Sequence, residues 1–427
     1  MFKAKVGFTS LVLVSMLLIG CGQQLPLTSV NSLGVITAQS VDDASTNNLQ
    51  NINNAIDFAT STKSSTNNYN VKFYMDGKNA YPAMEELIVN AKESINIELY
   101  IFKDDYTGKR FADALVQKVK EGVEVNLIYD YLGNTNVKVM NYMAKNGVRI
   151  ETYNKELLTK TGVNISHRKI FIADGQRAII GGMNIGEEYE SKWHDTMVSY
   201  EGDAVKATLK EFIYDWNKAS GSKLTTLMQK ALENPIVAKD ELKKSPLRVA
   251  VTSPKEQGKK IAIKRMFLSA IDTAKDNIKV AMPYFSDDDF INHLLNAKKR
   301  GVKVTALMPS KSDQKLFDIL STVTTNQLVQ GGVEVFRTGV KDNTFSHSKV
   351  MTVDNVWTTL GSCNADYRAF NDNQELNIGI SDPEFTQNIN KEFFGYHIDN
   401  SEKGQFKKIP WYKKPFYSLI EGLDDLF

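Results

Sequence analysis

Apolar and polar positions follow one another in the same order twice along this chain. Segment 83–130 runs AMEELIVNAKESINIELYIF, a polar stretch, then RFADALVQKVKEGVEVNLIYD, and segment 266–309 runs MFLSAIDTAKDNIKVAMPYF, a polar stretch, then FINHLLNAKKRGVKVTALMP. Each reads as an amphipathic helix, an apolar strand, a second helix and a Gly-Val-x-Val strand. Ala91-Lys92 recurs as Ala274-Lys275 and Gly122-Val123 as Gly301-Val302, so the repeat is the size of a domain and not of a solenoid unit. Strands alternating with helices predict two α/β halves, 70–220 and 246–400, each with a largely parallel sheet covered on both faces. Residues 221–245, with Gly221, Pro235 and a Lys-rich run, read as the linker between them.

Ahead of the repeat the pattern changes. Lys3 and Lys5 precede an apolar run from Val6 to Ile19 that closes on Leu18-Ile19-Gly20-Cys21. That run is shorter than the roughly 18 residues of a spanning helix, so residues 1–21 read as an export signal rather than a transmembrane anchor. The Leu-Ile-Gly-Cys ending resembles the bacterial lipobox, which implies lipidation of Cys21 and an exported, lipid-anchored chain in the periplasm or on the outer surface. Residues 22–69 are rich in Asn, Ser, Thr and Gln and read as a solvated tether, with Ile52, Ile56 and Phe58 hinting at a short helix.

A length of 427 residues predicts two domains or one large one, and 42% hydrophobic with 24% charged residues excludes disorder or coiled coil as a description of the whole. Lys and Arg total 52 against 50 acidic residues, a net charge of +2, so charge gives no sign of a nucleic-acid partner. Two cysteines, Cys21 and Cys363, exclude a disulfide scaffold, and Cys363 reads as a small buried filler.

Two of the five histidines, His167 and His347, carry the same company downstream. At equal spacings come Lys169 and Lys349, Asp174 and Asp354, Gly181 and Gly361, Asn184 and Asn364, and the carboxylates Asp195 and Glu375. HRKIFIAD and HSKVMTVD read as strands of period two, which puts His and Lys on one face. A glycine lets backbone come close to a ligand, and an asparagine amide donates to the same oxygens. Two such sets meeting across a pseudo-two-fold axis make a phosphate site. Asp195 and Glu375 suit the task of fixing an imidazole tautomer, whereas Asp174 and Asp354, at strand ends, read as structural. His194, His293 and His397 lack matched context and read as structural too.

His-x-Lys, four residues, Asp, six residues, Gly-Ser-x-Asn resembles the signature of the phospholipase D superfamily. The second copy carries it at His347, Lys349, Asp354, Gly361, Ser362 and Asn364; the first has Gly182 where serine is usual. Gly181-Gly182-Met183-Asn184-Ile185, Trp193-His194-Asp195, Glu201-Gly202 and Pro283-Tyr284-Phe285 resemble the bacterial cardiolipin synthase branch, over about residues 70–427. The resemblance implies two α/β/α sandwich domains related by a pseudo-two-fold axis, with the active site at their interface and both half-sites in one monomeric chain. It also implies a phosphodiesterase or phosphatidyltransferase that acts on membrane phospholipids through a phosphohistidine, with water or an alcohol as acceptor and neither metal nor cofactor. His167 is then the nucleophile and His347 the acid, the swapped assignment also standing, while Lys169, Lys349, Asn184 and Asn364 bind the non-bridging oxygens. A tethered or secreted endonuclease of the same superfamily is the competing reading, which the near-neutral charge disfavours. The tail 401–427, where Phe406, Trp411, Tyr412, Phe416 and Tyr417 mix with lysines, suits either a bilayer interface or packing on the second domain.

Overall fold

The computed structural model describes residues 48–134, 137–154, 164–220, 225–234, 241–254, 260–313 and 315–410. Cys21 and the aromatic tail from Trp411 onward lie outside them. The first half contributes strands β1 (Asn68–Met75), β2 (Ser94–Leu99), β3 (Glu124–Asp130), β4 (Arg149–Tyr153), β5 (Ile170–Ala173), β6 (Arg177–Gly181), β7 (Trp193–His194) and β8 (Thr196–Gly202). The second contributes β9 (Leu247–Ser253), β10 (Lys260–Ile261), β11 (Asn277–Ala281), β12 (Lys303–Pro309), β13 (Glu334–Thr338), β14 (Phe345–Ser346), β15 (Val350–Val353), β16 (Trp357–Gly361), β17 (Glu375–Ile380) and β18 (Glu402–Lys403). One sheet has the order β1-β8-β6-β5-β2-β3-β4; the other repeats it as β9-β17-β16-β15-β11-β12-β13, with β10 and β18 added at the edges.

Both sheets are mixed, which corrects the expectation of largely parallel ones. Only the helix-connected strands β2, β3 and β4, and their counterparts β11, β12 and β13, run parallel. The motif strands β5 and β6, and likewise β15 and β16, are antiparallel hairpins joined by tight turns. Short polar turns cannot carry a parallel crossover, which needs a dozen residues or more.

Alternate residues of the motif strands enter different cores. Ile170, Ile172 and Ile180 join Val350, Leu360, Leu376 and Ile378 in an apolar layer between the two sheets, together with Phe212 and Trp216 of the helix Asp203–Ser220. Phe171 and Ile179 face the other way, into the outer core of the first half. The runs are apolar throughout because both faces are buried. The repeated helices start on matched caps: Asp105 accepts from Gly108 N at 2.8 Å and Asp287 from Phe290 N at 2.9 Å. They stop at Gly122 and Gly301, whose φ of +89° and +95° favour a residue without Cβ.

Three boundaries shift. The end of the expected tether is folded: Asn48–Thr60 is a helix whose Ile52 and Ile56 are buried against the second half, while Phe58 is exposed. Asp57 pairs with Arg248 there, and Asn48 donates to Asp354 at 2.5 Å. The expected linker contains the helix Thr226–Glu233, capped by Thr225 and seated through buried Met228. The tail begins with β18, paired to β13. Among the described residues no helix is long and apolar enough to cross a membrane.

Candidate active site

Each motif histidine sits on an extended approach to its hairpin, just ahead of β5 or β15, so the strand expected over the whole of HRKIFIAD covers only its apolar half. Those approaches pair with the opposite half. Ser166 bridges to Gln374 and His167 N donates to Gln374 O at 2.9 Å; β14 runs parallel to β7, and His347 N donates to His194 O at 2.7 Å. The chain entering each histidine is thus held by the chain entering the other half's carboxylate.

Side chains repeat the exchange. His167 Nδ1 lies 2.9 Å from Glu375 Oε1, and His347 Nδ1 lies 2.7 Å from Asp195 Oδ2. Neither half owns a complete pair. A carboxylate at Nδ1 fixes the proton there and directs Nε2 outward. Lys169 Nζ and Lys349 Nζ each donate to the carbonyl of the histidine two residues before, both at 2.5 Å. All six side chains are buried, His167 being 8% and His347 5% exposed.

Burial is the first cause of each shift at the site and favours the uncharged form, lowering the histidines and lysines and raising Glu375. His167 is held well below 6.5 by burial first, then by Lys169, Lys349 and His347. His347 is also lowered, by burial and Lys349, but Asp195 pulls against them. Burial lowers Lys349 to about 8 and drives Lys169 well below its usual value, in each case against the opposing carboxylates. Glu375 is pushed up to about 8 by burial, over the opposition of Lys169 and the Ser362 hydroxyl.

The two halves differ where the motif departs. Ser362 Oγ donates to Glu375 and accepts from Leu376 N at 3.0 Å. At Gly182 a Cβ would collide with the carboxylate of Asp195, which itself accepts from Thr196 N at 2.7 Å. The shorter acid moves into the space that a serine would need. Gly181 and Gly361 are required by a different approach from the one expected: an added Cβ would meet the backbones of Thr196 and Leu376 on the adjoining strands, not a ligand.

Asn184 accepts from Ile101 N at 2.9 Å and donates to the Tyr189 hydroxyl at 2.9 Å, which uses one of its two amide hydrogens. Asn364 is buried with Oδ1 unpartnered, and its amide bears on Asp366. Asp174 and Asp354 stand at the far ends of β5 and β15, at φ 54° and 52°. Asp174 accepts from the backbone of Lys92, Glu93 and Ser94, and Asp354 from Lys275, Asp276 and Asn277. They pin the hairpin turns to the starts of β2 and β11. Cys363 is fully buried and its thiol is pushed well up by burial.

Sequence reasoning singled out Trp193 and Tyr284 only for their resemblance and gave none of the residues around this core a place at the site. Tyr100 packs on the His167 ring at 5.3 Å, while Trp193, Phe345, Tyr189 and Tyr284 surround His347 at 5.6–6.5 Å. Arg168, fully buried between the motif residues, donates to Asp215 at 2.5 Å, Glu211 at 3.2 Å and Gln374 at 3.1 Å. Its counterpart, Ser348, is not an arginine, so no repetition marked it. A signal did exist one place earlier: Ser166 and Ser346 precede both histidines.

Residues 84–216 and 267–396 each match a family described as cardiolipin synthase, PLD-like domain. Cardiolipin synthase 1 of Staphylococcus aureus (strain COL) is 31% identical over 361 residues, which is 82% of this chain and 71% of that protein. The major cardiolipin synthase ClsA of Bacillus subtilis (strain 168) is 30% identical over 329 residues, 74% of this chain and 66% of that one. The solved phosphatidylserine synthase of Haemophilus influenzae superposes with a TM-score of 0.62 over 83% of this chain and 93% of its own, at 14% identity, a likeness of fold. The expected pair of duplicated domains is borne out.

Proposed function

The chain belongs to the cardiolipin synthase type of phospholipase D-like enzymes, and we propose that it transfers a phosphatidyl group from a membrane phospholipid to an alcohol through a phosphohistidine on His167. The observation that carries this is the crossed pairing of His167 with Glu375 and His347 with Asp195. It gives two imidazoles, each held at Nδ1 by a carboxylate of the other half and each close enough to feel the charge of Lys169 and Lys349.

In the first step Nε2 of neutral His167 attacks phosphorus, the P–N bond forms, and the P–O bond to the head-group alcohol breaks as His347 gives that oxygen its proton. In the second, an acceptor hydroxyl returns its proton to His347 while its oxygen attacks phosphorus and the P–N bond breaks. The asymmetry in titration supports this division of labour. The nucleophile must be unprotonated, and His167 is depressed further; the proton carrier must be able to hold a charge, and Asp195 helps His347 do so. Lys169 and Lys349 meet the non-bridging oxygens, preorganised by their own backbone bonds. Water as acceptor gives phosphatidic acid by the same path.

The purified chain, given phosphatidylglycerol or phosphatidylethanolamine vesicles with a primary alcohol, should form the phosphatidyl alcohol alongside phosphatidic acid, read by mass spectrometry. Nicking of plasmid DNA with no lipid turnover would replace this reading with the endonuclease. Cys21 is proposed as a lipid attachment that holds the enzyme at the bilayer, raising the local concentration of head groups. Cys21→Ser should abolish labelling by fatty acid in cells, and persisting label would refute the anchor.

A further inference from the structure

We propose that His194 is a positioning residue for His347: its ring clasps one loop from each half, and its carbonyl thereby holds the chain that delivers the proton-carrying imidazole. The proposal rests on the role given to His347 above.

The tie between the halves on this side is slight. β7 and β14 are two residues each, and so short a ribbon has no stability of its own. Yet His347 N bonds to it through His194 O. The ring of His194 supplies what the ribbon lacks. Its Nδ1 lies 3.0 Å from both carboxylate oxygens of Asp76, and its Nε2 lies 2.9 Å from Asp342 Oδ2. An imidazole donates from both nitrogens only as the cation.

The two acids belong to the parts that must be aligned. Asp76, at the turn after β1 with φ 65°, donates its own N–H to the carbonyl of Asp195, the residue whose side chain holds His347. Asp342 lies on the loop that enters β14 and orders it by accepting from the N–H and hydroxyl of Thr344. His194 therefore links the support of one catalytic partner to the approach of the other.

Two rings from a neighbouring helix close off the clasp. Tyr396 and His397, from the helix Tyr396–Asp399, face the ring at 6.0 and 4.9 Å. His397 is buried with Nε2 unpartnered and is pushed down to about 3 by burial and by the charge of His194, so it stands as a neutral wall. Burial acts against charge on His194 too, but Asp76 and then Asp342 outweigh it and raise its pKa to about 9, while Asp342 falls to about 2. A raised imidazole pKa means the clasp's contribution is complete below the ordinary value of 6.5 and is lost as pH rises through about 9.

The test is run on the full chain with His194→Gln and, as a variant that should fold regardless, Asp342→Asn, whose side chain is 38% exposed. Both should lower kcat by about tenfold with KM within about twofold, and lower amide-exchange protection of residues 344–348 about tenfold while residues 166–168 are unchanged. In the wild-type chain that protection, corrected for base-catalysed intrinsic exchange, should fall as pH passes about 9, and the fall should be absent in His194→Gln, which lacks the titrating ring. Unchanged kcat, unchanged protection at 344–348, or a fall that survives in His194→Gln overturns the proposal. His347→Ala in the same assay separates the two levels: activity retained there refutes the reading of the site, whereas activity lost there with no effect at His194 and Asp342 refutes only the clasp.

Discussion

The approach to His167 and the approach to His347 share one backbone design and are fastened by opposite means. At His167 the strap is locked by a buried guanidinium: Arg168 reaches Asp215, Glu211 and Gln374, and Gln374 in turn donates to Asp215 at 2.7 Å. At His347 the residue in the place of Gln374 is His194, whose two acids are partly exposed. Duplication copied the path of the chain and the His-Lys pairs, and divergence acted on what holds them. Under the roles proposed for the two histidines, a nucleophile that must meet phosphorus in line gains from rigidity, while a proton carrier serving both a departing and an arriving alcohol tolerates a looser mount.

The largest expected effect erases the difference. His167→Ala and His347→Ala should each reduce turnover on the order of a thousandfold or more, and the double variant little further, because attack and proton transfer form one sequence. A single variant within a few fold of wild type would break the shared site.

Next comes the fastening itself. Arg168→Met leaves Asp215 without its partner in a fully buried setting and should cost about 3–5 kcal/mol in urea unfolding, whereas Asp342→Asn should cost less than about 1 kcal/mol. Equal losses would mean that the straps are not mechanically distinct.

A smaller effect tests the acids. Gly182→Ser drives a side chain into Asp195 and should lower kcat about tenfold, while Ser362→Gly removes one hydrogen bond from Glu375 and should cost about threefold. The reverse ranking would show that the serine, not the fitted gap, governs the site.

The smallest effect is in protons. Inorganic phosphate binding at pH 7 should take up a fraction of a proton, since an anion restores the depressed histidines and lysines towards their ordinary values. Calorimetry in buffers of differing ionisation enthalpy reads the sign, and net release would contradict the depressed titration of the histidines and lysines.

Much of this was legible because the chain states it twice. Matched spacings picked out the two His-Lys pairs and the carboxylates, and apolar runs located the strands that carry them. Strand direction was not legible, since period two is the same for parallel and antiparallel pairs. The crossing of Glu375 to His167 was hidden because spacing within a half says nothing of which half's acid arrives. Ile52 and Ile56 were too thin a stripe in an Asn-rich segment to announce a helix; its stability comes from its seat on Ala262–Thr273, which sequence does not display. His194 and Arg168 escaped for the opposite reason, since each does its work where the halves no longer agree.

The crossed pairing also dictates when the enzyme comes alive. While a ribosome is still adding residues, His167 already exists, but Glu375 follows more than two hundred residues later, about 10–40 s at ordinary rates of synthesis. Over that interval the nascent chain has an imidazole without its acid, a lysine without its twin, and Ile52 and Ile56 without a seat. On the proposed chemistry the chain is thus assembled inert, and the site is complete only once the strand that begins at Glu375 has joined it.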